Sequence, residues 1–355
     1  MNIGIVTQPL SNNYGGVLQN YALQATLKRL GHSPITFNVV PQERSVKKWV
    51  RHTIKYLLLL GFPGKREVYY PLFYQRDKSV AAFVDKHIVH TKIHRNYKGY
   101  DVKKMGLDAI VLGSDQVWRK QYNYKVWKDK FLQFVSDNNI LRLAYAASWG
   151  SDQCEFSEND LLIGRTLMKK FKAVSVREEV GIELCNKYLG VDAIEVLDPT
   201  LLLSSTDYAE LTKDIKKQQE PYMAAYVLDK SPKKKQMIDY FAKQNGIKVI
   251  DFGIAKDKIS VEEWLSLFAN AQFVFTDSFH GTIFSIINQR PFVTVVNPHR
   301  GSARFYSLLN KLGLENRIIE NDYKEKKWGD IDWINVERNL TYWREISIDF
   351  LKRNL

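Results

Sequence analysis

Cysteine is nearly missing from this 355-residue chain, which has only Cys154 and Cys185. Two isolated thiols make no disulfide framework, and the pattern fits a reducing compartment. Long apolar runs are missing too. The four-leucine run Leu57-Leu58-Leu59-Leu60 is far too short to span a bilayer. The chain opens Met1-Asn-Ile-Gly-Ile-Val6, with no charged n-region and no apolar h-region. That argues against a signal peptide and for the cytoplasm. No period recurs along the chain, which excludes solenoids and propellers. No G-x-G-x-x-G fingerprint follows the first strand, so NAD is not expected. Acidic side chains are in deficit, 39 against 52 basic ones, for a net charge of +13. An excess of that size calls for anionic partners: nucleic acid, an anionic membrane surface or a phosphorylated ligand. No named nucleic-acid motif is present, and nucleic acid is not the expected partner.

What is present is a strand–helix alternation over a chain long enough for two domains. Ile3 to Thr7 reads as a strand, Val17 to Leu30 as a helix closed by Gly31, and Ile35 to Val40 as a second strand. This βαβ start predicts an α/β fold with a doubly wound sheet. Ala109–Leu112, Leu143–Ala147, Lys172–Val176 and Ala193–Leu197 read as further strands. The turn Asp198-Pro-Thr200 is the expected junction. Tyr222–Leu228, Ile247–Phe252, Phe273–Thr276 and Pro291–Val296 continue the alternation in a second unit. The helices Lys233–Asn245, Val261–Ala269 and Phe305–Leu312 complete it.

The most informative stretch is Phe273-Val-Phe-Thr-Asp-Ser-Phe-His-Gly-Thr-Ile-Phe-Ser-Ile-Ile-Asn288. A buried strand runs through Asp277, Ser278, His280 and Gly281 into an apolar helix beginning near Thr282. Open α/β sheets bind ligands at such carboxyl ends, and the next helix offers amides and a positive dipole end to an anion. Asp277 is expected to cap the helix. His280 can give or take a proton near neutral pH.

Other junctions carry similar chemistry. Asn12-Asn13-Tyr14-Gly15-Gly16 places two glycines and two amides before a helix, where they could hold phosphate or hydroxyl groups or simply form a tight turn. Gly113-Ser114-Asp115-Gln116 follows a buried strand. Asp115 there could act as a base toward a hydroxyl or orient a partner, and it could equally cap the next turn. Arg177 stands just past a strand, placed either for bidentate recognition of an anion or for a surface pair with Glu178 or Glu179. Arg300 and Arg304 lie in the loop beyond Asn297. Residues 41–78 mix Lys47, Lys48 and Arg51 with Trp49, Tyr56 and the leucines, a composition suited to an anionic membrane surface or to a solvated surface helix. His87, His90 and His94 could share the face of a helix from Val80 to His94, but no cysteine or carboxylate completes a zinc set.

Taken together, these junctions resemble the polysaccharide pyruvyl transferase family. The matching residues are Asn13-Tyr-Gly-Gly-Val-Leu-Gln19, Gly113-Ser-Asp-Gln-Val-Trp118, Tyr145-Ala-Ala-Ser148, Ser175-Val-Arg-Glu178, Leu197-Asp-Pro-Thr200, Asp277-Ser-Phe-His-Gly281 and Ser302-Ala-Arg304. They occur in family order. The resemblance implies two facing Rossmann-like domains in a GT-B-like architecture. The acceptor-side domain would span 1–200 and the donor-side domain 201–335, with a tail helix at 336–355 packing back on the first. It also implies phosphoenolpyruvate as donor, a sugar or lipid-linked glycan as acceptor, and a pyruvate ketal as product. No cofactor or metal is expected.

By that resemblance His280 is the general acid, with Asp115 as base or acceptor-orienting group and Arg177 in the catalytic set. Ser278, Gly281, Thr282, Arg304 and Arg300 fall on the donor side. Asn13, Tyr14, Gly15, Gly16 and Ser114 fall on the acceptor side. Some relatives carry arginine where this chain has Ser278, so another cation must hold the donor here: Arg304, Arg300 or Arg177. A GT-B glycosyltransferase using a nucleotide sugar would share the fold. A non-enzymatic nucleic-acid or membrane-binding protein would share only the charge.

Overall fold

A computed structural model describes residues 1–10, 13–40, 78–137, 139–253, 259–297, 301–319, 323–325 and 328–355. The basic stretch read over 41–78 lies outside the described residues except for Lys78, and Arg300 lies outside them too.

Six strands form the first sheet: β1 (Asn2–Val6), β2 (Ser33–Thr36), β3 (Ala109–Leu112), β4 (Leu141–Ala147), β5 (Ala173–Val176) and β6 (Ile194–Glu195). All pair in parallel, in the order β2-β1-β3-β4-β5-β6. The second sheet has β7 (Tyr222–Tyr226), β8 (Lys248–Asp251), β9 (Phe273–Thr276) and β10 (Phe292–Thr294). It too is parallel, in the order β10-β9-β7-β8. Parallel strands covered on both faces read as unbroken apolar runs, and β3 and β9 are buried at every position.

Each sheet reverses its winding direction once, between β1 and β3 in the first and between β7 and β9 in the second. Ligands of open α/β sheets bind outside the strand carboxyl ends at such points. Here both reversal points line one cleft, so two Rossmann-like units face each other in a GT-B-like arrangement. One apolar core runs through both units. It joins Leu18 and Leu23 of α1 (Tyr14–Arg29) to Trp264 of one helix and Phe284 of another in the second unit. Tyr14 stacks on Trp264 at 5.7 Å and donates its hydroxyl to the Ile259 carbonyl at 2.7 Å.

Helix starts follow their caps. Asn13 Oδ1 accepts from Gly16 N, so α1 begins at Tyr14, three residues before the expected Val17. The segment from Val80 to His94 is not one helix. Helix α2 (Lys78–His87) ends there, and the chain then turns to pair Thr36 with His90 and Val39 with His94. The three histidines part accordingly: His87 lies 3.9 Å from Glu262, His90 bonds Asp85, and His94 packs on Tyr100. Among the described residues, no group of three or more histidine, cysteine or acidic side chains could hold a metal.

The remaining helices are α3 (Lys120–Asn123), α4 (Glu158–Met168), α5 (Val180–Leu184), α6 (Ser205–Thr212), α7 (Pro232–Asn245), α8 (Val261–Ala269), α9 (Phe279–Ile287), α10 (Ala303–Leu312) and α11 (Trp333–Asn354). Helix α11 runs back over the first unit. Ser347 Oγ accepts from Leu197 N at 2.9 Å, and Lys172 Nζ donates to the Asn354 carbonyl at 3.0 Å. Among the described residues no helix is long and apolar enough to cross a membrane.

Candidate active site

The cleft between the units encloses about 310 Å³. Its first-unit wall includes Asn13, Gly16 and Asp115, and its second-unit wall includes Ser278, His280 and Arg304.

His280 sits in the first turn of α9 and is 7% exposed. The cap of that helix is Ser278, whose Oγ accepts from Gly281 N at 3.3 Å; the expected cap, Asp277, does something else. Its carboxylate accepts from Leu228 N at 2.6 Å, Asp229 N at 3.1 Å and Lys234 Nζ at 2.5 Å. Asp277 precedes the cap position and meets the unpaired amides that leave β7. It therefore ties the two loops of the second reversal point together.

The imidazole has two distinct neighbours. Nε2 lies 3.7 Å from Asp198 Oδ2, an ion-pair distance beyond hydrogen-bond reach. The other side of the ring lies on Gly15 of α1, where a Cβ would fall 2.1 Å from Nδ1. Gly15 thus leaves room for the histidine. Gly15→Ala is expected to cost about 1–3 kcal/mol through overpacking. By displacing the ring it should also cut turnover about a hundredfold. Urea denaturation and steady-state rates check both; a variant as active as wild type would separate the glycine from the histidine.

Behind the cleft runs a chain of alternating charge. Arg304 Nη1 lies 4.0 Å from Asp115 Oδ1. Asp115 Oδ1 accepts from Arg177 Nη2 at 3.2 Å, and Arg177 Nη1 donates to Asp198 Oδ2 at 2.6 Å. Asp198 then faces His280. Both guanidinium groups flank the Phe279 ring, at 5.0 Å for Arg177 and 4.8 Å for Arg304. Burial pushes the Asp198 carboxyl upward, but His280 and Arg177 outweigh it and hold the group well below the usual range. Asp115 follows the same pattern: burial opposes its ionisation, and Arg177, His280 and Arg304 overcome it. Burial and the nearby Arg177 push Arg304 down to about 10, so it remains a cation at neutral pH.

These contacts correct several sequence-based expectations. Arg177 has a 1% exposed side chain paired with two carboxylates inside the protein, so it is not a surface pair with Glu178 or Glu179. Asp115 lines the cleft at φ +77°, but its depressed pKa suits an ionised orienting group more than a base. Ser114 is turned inward, with Oγ donating to the Ala146 carbonyl at 2.9 Å. Thr282 Oγ1 bonds the Ser278 carbonyl and Thr294, and Gly281 is packed against Thr276. Tyr14 is occupied by Trp264 and Ile259. Ser114, Gly281 and Tyr14 each adjoin in sequence a residue that does reach the cleft: Asp115, His280 and Asn13. Asp198 joins the site although Asp-Pro in sequence reads only as a turn. Its signal was its place within Leu197-Asp-Pro-Thr200.

The sequence model of one family, polysaccharide pyruvyl transferase, matches residues 13–299. The chain belongs to the polysaccharide pyruvyl transferase family. In this pyruvyl transferase relative the matched region contains Asn13, Asp115, Arg177, Asp198 and His280, while Arg304 lies just beyond it. No curated protein matches the chain. Among solved structures, it is similar to an uncharacterized protein of Klebsiella pneumoniae at 10% identity, covering 89% of this chain and 92% of that one, with a TM-score of 0.45. It is also similar to SsfS6, a Streptomyces sp. SF2575 glycosyltransferase, at 12% identity, covering 99% and 98%, with a TM-score of 0.43. A third is a Thermobaculum terrenum O-GlcNAc transferase mutant, at 9% identity, covering 99% and 67%, with a TM-score of 0.43.

Proposed function

We propose that this protein transfers the enolpyruvyl group of phosphoenolpyruvate to a pair of sugar hydroxyls, forming a pyruvate ketal and releasing phosphate. The observation that carries this reading is the meeting of His280 and Arg304 in one cleft, one backed by Asp198 and the other beside Asp115.

The chemistry assigns their work. A proton must reach the methylene carbon of the enol phosphate, which leaves C2 electrophilic. One sugar hydroxyl adds at C2, phosphate leaves, and the second hydroxyl closes the ketal. Of the two hydroxyl protons, one balances the new methyl group and the other leaves with phosphate. In this reading His280 delivers the carbon proton, and the anionic Asp198 stabilises the imidazolium that does so. Arg304 offers charge to the donor carboxylate or phosphate, the role that Ser278 cannot fill. The first turn of α9 adds amides and a positive dipole end. Asp115 and Asn13 line the opposite wall, and in this reading they orient the acceptor hydroxyls.

The test is phosphate release from phosphoenolpyruvate with galactose-, glucose- and mannose-containing acceptors, free and lipid-linked. Acceptor-dependent release, with a sugar mass gain of one pyruvate less water, is the expected result. Release of nucleoside diphosphate from a nucleotide sugar instead would replace this reading with glycosyl transfer.

A further inference from the structure

A second cavity, of about 200 Å³, adjoins the cleft and shares Gln8, Pro9 and Tyr122 with it. The rest of its wall comes from the first unit alone, including Val39, Tyr97, Tyr124, Val126 and Lys130. None of the chemistry above uses it.

Its rim carries two large exposed rings, Tyr122 at 50% and Tyr124 at 61%. Tyr122 is held in place. The Arg119 guanidinium lies 4.5 Å from its ring centroid, and Arg119 Nη1 donates to its hydroxyl at 3.2 Å. A ring backed on one face by a buried cation is a fixed, flat platform. Val39, Pro9 and Val126 supply apolar surface beside it.

A cation is buried in the same wall. Lys130 is 2% exposed, and its Nζ donates to the Thr7 carbonyl and to the Tyr97 hydroxyl. An ammonium has three N–H donors, so one remains for a ligand. Burial pushes this amine down to about 7, against the pull of Asp129 and Asp115. Such a group suits a hydroxyl, which it can bond in either protonation state, better than a phosphate, which needs a lasting charge.

A flat aromatic platform, an apolar wall and one buried donor, in a space about the size of a sugar ring, make a carbohydrate subsite. We propose that this cavity binds the sugar next to the one being modified, so that the acceptor is a glycan of at least two residues. The identity of the neighbouring sugar rests on the pyruvyl-transfer reading.

The experiment compares galactose-, glucose- and mannose-terminated disaccharides with the matching methyl glycosides, in wild type, Tyr124→Ala and Lys130→Met. Phosphate release and saturation-transfer NMR are both recorded. With wild type, one disaccharide should exceed its methyl glycoside about tenfold in kcat/KM, and Tyr124→Ala should remove most of that advantage without changing KM for phosphoenolpyruvate. Tyr124 is exposed, so its removal should not disturb folding; Lys130→Met is interpreted only if its thermal melt matches wild type. Equal kcat/KM for disaccharide and monosaccharide in wild type overturns the proposal, as does an equal loss for both in Tyr124→Ala. If no acceptor supports phosphate release, the pyruvyl-transfer reading fails, and NMR still decides the cavity. Disaccharide binding lost in Tyr124→Ala supports the subsite, and no binding to wild type overturns it. Binding of inorganic pyrophosphate that Lys130→Met abolishes, with no saccharide binding, overturns it in favour of a carrier phosphate.

Discussion

His280→Gln is expected to lower acceptor-dependent phosphate release about 10²–10⁴-fold, the usual worth of a positioned general acid. Donor affinity, measured by calorimetry, should hardly change, because Arg304 and the first turn of α9 remain. Glutamine keeps much of the volume that fills the space over Gly15, but it cannot supply the proton. Asp198→Asn should fall between this variant and wild type. It leaves the imidazole present but removes the anion 3.7 Å from Nε2. Asparagine can still accept from Thr200 N, as Asp198 Oδ1 does at 3.0 Å, so the local turn should survive. Near wild-type turnover in His280→Gln would remove the histidine from the reaction. A variant that no longer binds phosphoenolpyruvate would instead make it a donor ligand.

The fold was legible because buried parallel strands are continuous apolar runs, and β3 and β9 show this most clearly. His280 was legible for the same reason: a polar cluster after such a run stands out. Helix phase was harder to read. Thr282 and His280 are two residues apart in one helix, yet the threonine bonds Thr294 in the interior while the histidine lines the cleft. Long-range pairing was not legible at all. Arg177 meets Asp198 across 21 residues and Asp115 across 62, and nothing local to Ser175-Val-Arg-Glu178 announces either carboxylate. Gly15 shows a third limit. Its sequence setting suggested an anion loop, but the reason for glycine is a histidine 265 positions later in the chain, against which no Cβ fits. The histidines at 87, 90 and 94 show the reverse case: helical spacing was present, but pairing of Thr36 with His90 ended the helix first.

Arg177→Leu should destabilise the protein by about 3–5 kcal/mol at neutral pH, the cost of leaving buried charges without their partner. Asp115 and Asp198 would lose their shortest ion pairs, at 3.2 and 2.6 Å. The pH dependence has a definite sign. Both carboxyls are depressed in the folded state, so in wild type their contribution is complete above the unfolded value of about 3.9 and is lost as pH falls through the folded values. In the variant the two groups hold their protons more readily, and protonation relieves the unpaired charge. The stability gap between variant and wild type should therefore be widest near neutrality and narrow in acid, which urea denaturation across pH can follow. An unchanged urea midpoint at neutral pH would show that the charge chain contributes nothing to folding. Adding Asp115→Asn and Asp198→Asn to Arg177→Leu removes the Arg177 charge together with its two carboxylate partners and should restore much of the stability. Turnover should stay low in this triple variant, because His280 then lacks its anion and Arg304 its carboxylate neighbour. Recovery of rate along with stability would reduce the chain to packing; recovery of stability alone would make it the device that holds a proton donor and a donor-binding cation, both from the second unit, against the first.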